Sequence, residues 1–327
     1  MQIATPSLSK ARLGQAGPLV GVQGLGCMGM SEFYGDTNAL QARATLDRAL
    51  SLGVTLFDTA DMYGLGANET LLGPFLRANR EHAVVATKFG YTRTADRPDD
   101  WTISNRPDYI RRAVDGSLKR MGVDIIDLYY MHRRTSDVPL DESIGAMAEL
   151  VEVGKVRAIG LCEVSAEELR LAHAIHPIAA LQSEWSVFSR QIEREVAPVA
   201  AELGIAVVPY APLGRGLLTG KAFSEGLVAK DVRNQFPRFQ AENREANSHL
   251  VSMLDGMSSA LGVSTAQLAL AWLYARARQL GVTVIPIPGT RRPDRLEANV
   301  AATRIELSDQ EMATIEPLAK AVQGAAV

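Results

Sequence analysis

Along the chain, brief apolar runs alternate with longer segments in which apolar residues recur at helical spacing. The runs are "LVGVQGLG" (19–26), "VTLFDT" (54–59), "AVVATK" (83–88), "IIDLYYMH" (125–132), "RAIGLC" (157–162), "AALQSE" (179–184), "IAVVPY" (205–210) and "TVIPIPG" (283–289). They show little polar alternation, which predicts strands buried on both faces, as in a parallel sheet. The segments between them predict helices over 38–52, 68–80, 107–121, 143–153, 166–175 and 193–203, and 247–280 is long enough for two. Gly53, Gly122, Gly154 and Gly204 stand where helices stop, immediately before the next run. Eight strand-helix units in strict order give an α/β class and predict a (β/α)8 TIM barrel. A short stretch before the first run fits an N-terminal β-hairpin. No low-complexity run, short repeat or Pro/Gly-rich linker divides the chain, so residues 1–327 read as a single domain. The irregular stretch 214–245 follows strand seven and is too long for a connector. On a barrel it lies over the C-terminal mouth, where active sites are built.

Gly24, Gly26 and Gly29 in "VQGLGCMG" reproduce the spacing of a dinucleotide-binding fingerprint. That motif needs a helix opening at its third glycine. Here a polar and aromatic loop, "MSEFYGDT", follows instead, and the helix waits for a cap at Asp36 or Thr37. The fingerprint fails, so any dinucleotide is held by other parts.

Composition narrows the classes. The 327 residues are 47% hydrophobic and 22% charged with a formal net charge of −3, which argues against a general nucleic-acid or membrane-surface role. No apolar run is long enough to span a bilayer, and the start of the chain lacks the apolar core of a signal peptide. The two cysteines, Cys27 and Cys162, have neither disulfide-framework nor metal-ligand spacing. A soluble protein of the reducing cytoplasm, with no metal, is expected.

The polar residues that end the strands carry the chemistry. Strand two runs into Asp58, strand three into Lys88 and strand four into His132, with Tyr63 one short loop beyond Asp58. Singly, each has a packing explanation: Lys88 neutralises Asp58, His132 is a satisfied core histidine, Tyr63 fills space. Together they are harder to dismiss, because charges are seldom buried without partners. A neighbouring ammonium lowers a tyrosine's pKa from about 10, so Tyr63 is expected to exchange a proton nearer neutrality. Asp58 would hold Lys88, and His132 would orient a substrate oxygen. Such a set suits protonation of an oxygen as a carbonyl is reduced.

Through "LFDTADMYGLGANETLLG", "VVATKFG", "IDLYYMH", "GKVRAIGL", "VVPYAPLGRGLLTG" and "PIPGTRRPDRLEANVAA", the chain resembles the aldo-keto reductases over nearly its whole length. "LGCMGMSEFYG" and "LQSEWSVFSR" make it similar to the perakine-reductase-like and pyridoxal-reductase-like branch. The resemblance implies a (β/α)8 barrel with a hairpin closing its bottom, and a catalytic tetrad of Asp58, Tyr63, Lys88 and His132. It further implies NADPH (or NADP) lying extended across the mouth. Gly29, Met30 and Asp58 would line the cofactor site, and Cys162, Glu163 and Gln182 would meet the carboxamide, with Tyr210 stacked on the nicotinamide. Ala211, Pro212, Leu213, Gly214, Gly216 and Leu217 would wrap the pyrophosphate. Gly289, Thr290, Arg291 and Arg295 would surround the 2′-phosphate, and Asn299 would contact the adenine. "RRPDR" alone reads as a solvated patch. Two positions depart from the family: Cys162 stands where serine is general, and Ala298 where Glu or Gln is common.

The resulting expectation is an NADPH-dependent reductase of an aldehyde or ketone, with a small-molecule carbonyl as its partner and an open oligomeric state. Met30, Tyr34, Met62, Phe89, Trp101 and Trp185 are candidate pocket walls that suit an aromatic or alicyclic carbonyl, such as a xenobiotic or secondary metabolite. Each also fits ordinary core. Arg133 suits a polar end of the substrate. The rival reading is a redox-sensing regulatory subunit resembling potassium-channel β subunits, made less attractive by the lack of an added N-terminal gating segment. A metal-dependent barrel isomerase or hydrolase lacks the ligand cluster it would need.

Overall fold

The structure, a computed structural model, describes residues 8–35, 37–220, 227 and 231–326. The expected cap at Asp36 and parts of the expected long loop, 221–226 and 228–230, lie outside the described residues. A hairpin comes first, β1 (Lys10–Arg12) antiparallel to β2 (Leu19–Gly21). Seven parallel strands then pair in chain order: β3 (Leu25–Gly26), β4 (Leu56–Asp58), β5 (Val84–Phe89), β6 (Leu128–Met131), β7 (Ile159–Cys162), β8 (Ile178–Glu184) and β9 (Ala206–Tyr210). The helices are α1 (Ala39–Ser51), α2 (Ala67–Ala78), α3 (Pro107–Met121), α4 (Leu140–Glu152), α5 (Ala166–Ile175), α6 (Val196–Glu202), α7 (Ala241–Ala260), α8 (Thr265–Gln279), α9 (Pro293–Ala301) and α10 (Asp309–Ala321). None of the described helices is long and apolar enough to cross a membrane.

The eighth run, 283–289, closes the barrel without forming a full strand. Its Ile285 and Ile287 amides donate to Val207 and Pro209 of β9 at 2.9 and 3.0 Å. Donors toward β3 would have to come from the alternate positions, and two of these, Pro286 and Pro288, have no N–H. The seam therefore forms by acceptance, with Gly24 N donating to the Pro286 carbonyl at 2.9 Å. This close approach also explains the opening glycines. A Cβ on Gly26 would lie 2.8 Å from the Ile287 carbonyl oxygen, and one on Gly24 would lie 2.9 Å from the Ile287 side chain. The fingerprint spacing belongs to a barrel seam rather than to a phosphate cradle.

The first expected strand is split, since 19–21 joins the bottom hairpin and only 25–26 enters the barrel. Leu13 and Val20 of the hairpin plug the interior beneath Leu56, Ala86, Leu128, Ala180, Ala206, Val208 and Ile285. Alternate residues point outward under the helices, among them Phe57, Val85, Phe89, Tyr129, Met131, Leu161, Leu181 and Val207. Inward-facing residues at the upper strand ends are thereby Asp58, Lys88, His132, Cys162, Gln182 and Tyr210. The bottom rim is tied by buried Asp127, which accepts from Arg80 at 2.8 and 2.9 Å and from Val85 N at 2.9 Å.

Local signals set the helix ends. Asn38, rather than Thr37, caps α1 by accepting from Gln41 N at 3.0 Å. Pro107 opens α3 at its first turn, and Gly122 at φ +64 ends it. Between α7 and α8 a capping box of Ser264 and Gln267 starts the second helix, which explains why 247–280 holds two. Helix α7 begins at Ala241, one and a half turns before the expected start, and α4 at Leu140.

Candidate active site

The barrel gathers all four strand-end residues at one mouth. Lys88 is fully buried, and its Nζ donates to Asp58 Oδ1 at 2.5 Å, to the Thr59 carbonyl at 2.6 Å and to the Tyr63 hydroxyl at 3.4 Å. Its ammonium also lies 5.0 Å from the centre of the Tyr63 ring. His132 closes the group edge-on to Tyr63, with ring centres 5.9 Å apart, and its buried Nδ1 has no protein partner among the described residues.

Electrostatics corrects one expectation. Burial dominates at Tyr63 and outweighs the lowering by Lys88, with Asp58 adding to the rise, so the phenol is pushed up to about 12. Tyr63 is thus held protonated through the neutral range. Burial, with the Lys88 and Arg133 cations, takes His132 well below its ordinary value and keeps the imidazole neutral. Burial also works against the Lys88 charge, but the Asp58 carboxylate and the phenol of Tyr63 outweigh it, and its pKa rises.

Gln182 turns toward Asp58, donating from Nε2 to Oδ2 at 2.7 Å. Cys162 faces inward and is 1% exposed, its thiol raised to about 12 by burial. Glu163, at φ +50, accepts from Glu184 N at 2.8 Å. Half-buried Tyr210 lies beside the Arg215 guanidinium, 5.9 Å from the ring centre. After it, Ala211, Pro212 and Leu213 lead into a 3-10 segment, Gly214–Thr219, that carries Gly216 and Leu217. Positive φ at Ala211, Gly214, Arg215 and Gly216 folds this loop back on itself. Gly289 bridges to Gly26 at the seam, with Thr290 and Arg291 just beyond. Arg291 donates to the Tyr34 carbonyl at 3.1 Å. Arg295 is exposed on α9, and Asn299 is buried. Gly29 and Met30 lie in the 3-10 turn Met28–Met30 after β3, where the Met30 side chain packs into the outer core.

The expected pocket walls divide. Met62 packs at the mouth with Ala60, Tyr63, Met28, Phe33 and Tyr91. Trp101 is half-exposed over the same loops, stacked on Arg93 at 4.2 Å. Tyr34 lies under the Arg233 guanidinium, 5.5 Å from its ring. Phe89 does not reach the mouth. Strand alternation that turns Lys88 inward turns Phe89 outward, against Tyr129 at 5.1 Å. Trp185 is likewise core, fully buried with Nε1 donating to Glu193 at 2.9 Å.

Several residues that shape the site carried no local signal. Tyr91 stands edge-on to His132 at 5.2 Å. Asn68 ties the loop before it, accepting from Thr59 Oγ1 at 2.6 Å and donating to the Cys27 carbonyl at 2.9 Å. Glu32 accepts from Gly64 N at 2.8 Å and from Arg93 at 2.9 Å, gripping the turn that follows Tyr63.

Asp58, Tyr63, Lys88 and His132 thus meet at the C-terminal mouth of a closed parallel barrel, and comparison with known proteins gives the family. The Aldo/keto reductase family profile matches residues 24–320. The chain is 42% identical over 310 residues to "Probable aldo-keto reductase 1" of Glycine max, covering 94% of this chain and 88% of that protein. Among solved structures it is similar to a glycerol dehydrogenase from Gluconobacter oxydans, with TM-score 0.85 and 28% identity over 96% of each chain. It is also similar to an aldo-keto reductase from Bacillus halodurans in its holo form, with TM-score 0.77 and 28% identity over 96% of this chain and 97% of that one. The chain belongs to the aldo/keto reductase family.

Proposed function

We propose that this protein reduces an aldehyde or ketone to the alcohol with NADPH, and that Tyr63 gives the proton. The observation that carries the reading is the buried Lys88 ammonium, shared between the Asp58 carboxylate and the Tyr63 hydroxyl. A phenol held up at about 12 keeps its proton until a stronger base arrives, and an alkoxide forming on the substrate is one. Lys88 then stabilises the phenolate left behind. A neutral His132 has one N–H, which it donates to the carbonyl oxygen to hold it toward Tyr63.

The residues present fit a nicotinamide dinucleotide. Loop 211–217, folded back by positive φ at Ala211, Gly214, Arg215 and Gly216, would lie along a pyrophosphate, Tyr210 would present a ring face, and Arg291 with the exposed Arg295 would meet a 2′-phosphate. Bound there, the cofactor supplies the hydride. Cys162, Glu163 and Gln182 would take the carboxamide end. Met28, Phe33, Met62 and Tyr91 around Tyr63 favour an apolar carbonyl, aromatic or alicyclic. Two buried free thiols suit a reducing cytoplasm.

The test follows NADPH absorbance across a panel of aldehydes and ketones without added metal. Tyr63→Phe is expected to lower kcat about 10²-fold or more with the NADPH Kd nearly unchanged. The parent should bind NADPH over NADH by roughly tenfold to hundredfold for each arginine that engages. Near-parent turnover by Tyr63→Phe overturns the proton donor, and equal binding of NADPH and NADH overturns the cofactor preference.

A further inference from the structure

Arg133 follows His132 at the mouth, and among the described residues no acid is in contact with its charge. Its charge is felt at His132, Cys162 and Tyr210, and the guanidinium in turn feels Tyr91 and Glu163. It makes a single hydrogen bond, from Nη1 to the carbonyl of His132 at 2.7 Å, and no salt bridge among the described residues. The contrast with the next residue is sharp: Arg134 pairs with Glu168 at 2.9 Å. Glu163, the nearest acid in charge terms, is exposed, and its carboxylate is turned to the Glu184 amide.

The position of Arg133 is built rather than incidental. Buried Asn105 grips the chain on both sides of the arginine, donating from Nδ2 to the Arg133 carbonyl at 2.9 Å and accepting from Thr135 N at 2.7 Å. Asn105 is itself anchored, its carbonyl accepting from Ser143 Oγ at 2.9 Å. A guanidinium has five N–H donors, so most of the fork remains available. Sparing a half-buried cation its counter-charge is unfavourable unless a ligand brings one.

The cofactor placement proposed above puts its phosphates against 211–217 and 290–295, on the far side of the mouth from β6. The anion that meets Arg133 therefore comes with the substrate. Arg133 lies past the end of β6 at Met131, where strand alternation no longer fixes its direction, and its charge is felt at both His132 and Tyr210, so one small molecule can meet His132 and Arg133 together. The geometry points to a substrate class: carbonyl compounds bearing a carboxylate roughly an aromatic ring's length from the reacting C=O, which His132 and Tyr63 take at the carbonyl while Arg133 takes the carboxylate as a fork. This rests on the carbonyl-reductase reading and narrows it.

The test compares 3- and 4-carboxybenzaldehyde with their neutral methyl esters, using the full chain and NADPH. The parent should favour at least one carboxylate over its ester by about tenfold to hundredfold in kcat/KM, the worth of a charge-assisted bond. In Arg133→Gln that ratio should fall at least tenfold, mainly through KM, and Arg133→Lys should retain part of it because a point charge replaces the fork. An acid-to-ester ratio equal in the parent and Arg133→Gln overturns the inference. So does a variant that weakens NADPH binding while the ratio holds, which would assign Arg133 to the cofactor. If Arg133→Gln fails to fold, the parent's ratio and Arg133→Lys decide. If the parent reduces neither aldehyde, the reductase reading is what fails. Fluorescence quenching by 4-carboxybenzaldehyde against its ester then still decides the anion site, with equal Kd values overturning it.

Discussion

Replacing Lys88 with Met removes an ammonium from a place that solvent does not reach. Lys88 is 0% exposed and Asp58 3%, and methionine keeps much of the volume, so the change is chiefly electrostatic. Removing one partner of a buried pair costs about 3–5 kcal/mol, because the other charge is left in low dielectric. Asp58 would keep only the Gln182 bond at 2.7 Å. Burial already raises the Asp58 carboxyl with Lys88 in place, and without that cation it rises further. A folded pKa above the unfolded value of about 3.9 means the folded state binds the proton more tightly. The contribution of this group to stability is then fullest below about pH 4 and falls as pH climbs through the folded pKa. Lys88→Met should therefore lie further below the parent at pH 7 than at pH 5. Urea unfolding followed by tryptophan fluorescence at both pH values measures this, with Asp58→Asn added to Lys88→Met as the neutral pair. The double variant should recover part of the loss. A cost under about 1 kcal/mol at pH 7, the range of an exposed pair, refutes the reasoning, and so does a deficit that is the same at both pH values.

Two further outcomes follow from the site. With Tyr63 held up at about 12, the alkaline limb of kcat/KM for reduction should lie well above neutrality, and Tyr63 should be protonated throughout the neutral range; a pH-rate profile with its alkaline fall near pH 7 would contradict this. Glu32→Gln keeps an acceptor for Gly64 N but loses the charge that holds Arg93, so kcat should drop about fivefold, near 1 kcal/mol, with the NADPH Kd unmoved; a parent-like kcat would show that the Tyr63 turn needs no such grip.

The barrel was legible because buried parallel strands leave runs with little polar alternation, and the end of α3 because Gly122 marks it. Two helices, α9 and α10, went unread although Pro293 and the Ser308–Glu311 capping box announce them. Asp58, Lys88 and His132 were legible for the same reason as the strands they end. Phe89 was misplaced even though strand parity excludes it once Lys88 faces inward. The first strand was overextended because apolar pattern does not distinguish a hairpin plug from a barrel stave. Asn68, Tyr91 and the Glu32–Arg93 pair lay beyond pattern altogether. Each acts across loops that only the closed barrel brings together, as does the Gln182 bond to Asp58 over 124 positions.

The distribution of strain explains why those cross-loop contacts are needed. Among the described residues, five other than glycine hold positive φ: Phe33, Leu65, Glu163, Ala211 and Arg215, all on loops that leave the upper ends of β3, β4, β7 and β9. Such conformations cost of order 1–3 kcal/mol each and persist only where the surroundings over-determine them. At Leu65 the preceding Gly64 amide is gripped by Glu32 at 2.8 Å. At Glu163 the amide donates to the Gln182 carbonyl at 3.1 Å while its carboxylate accepts from Glu184. The Ala211 carbonyl accepts from Gly214 N at 2.8 Å, and that of Arg215 accepts from Arg233 at 3.3 Å. The bottom rim, tied by Asp127 and sealed by the hairpin, carries none of these residues. Strain is thus concentrated at the mouth, so a substitution there that removes one grip releases a loop already under tension. Its effect should reach Tyr63 and the back-folded loop 211–217 before it reaches the fold.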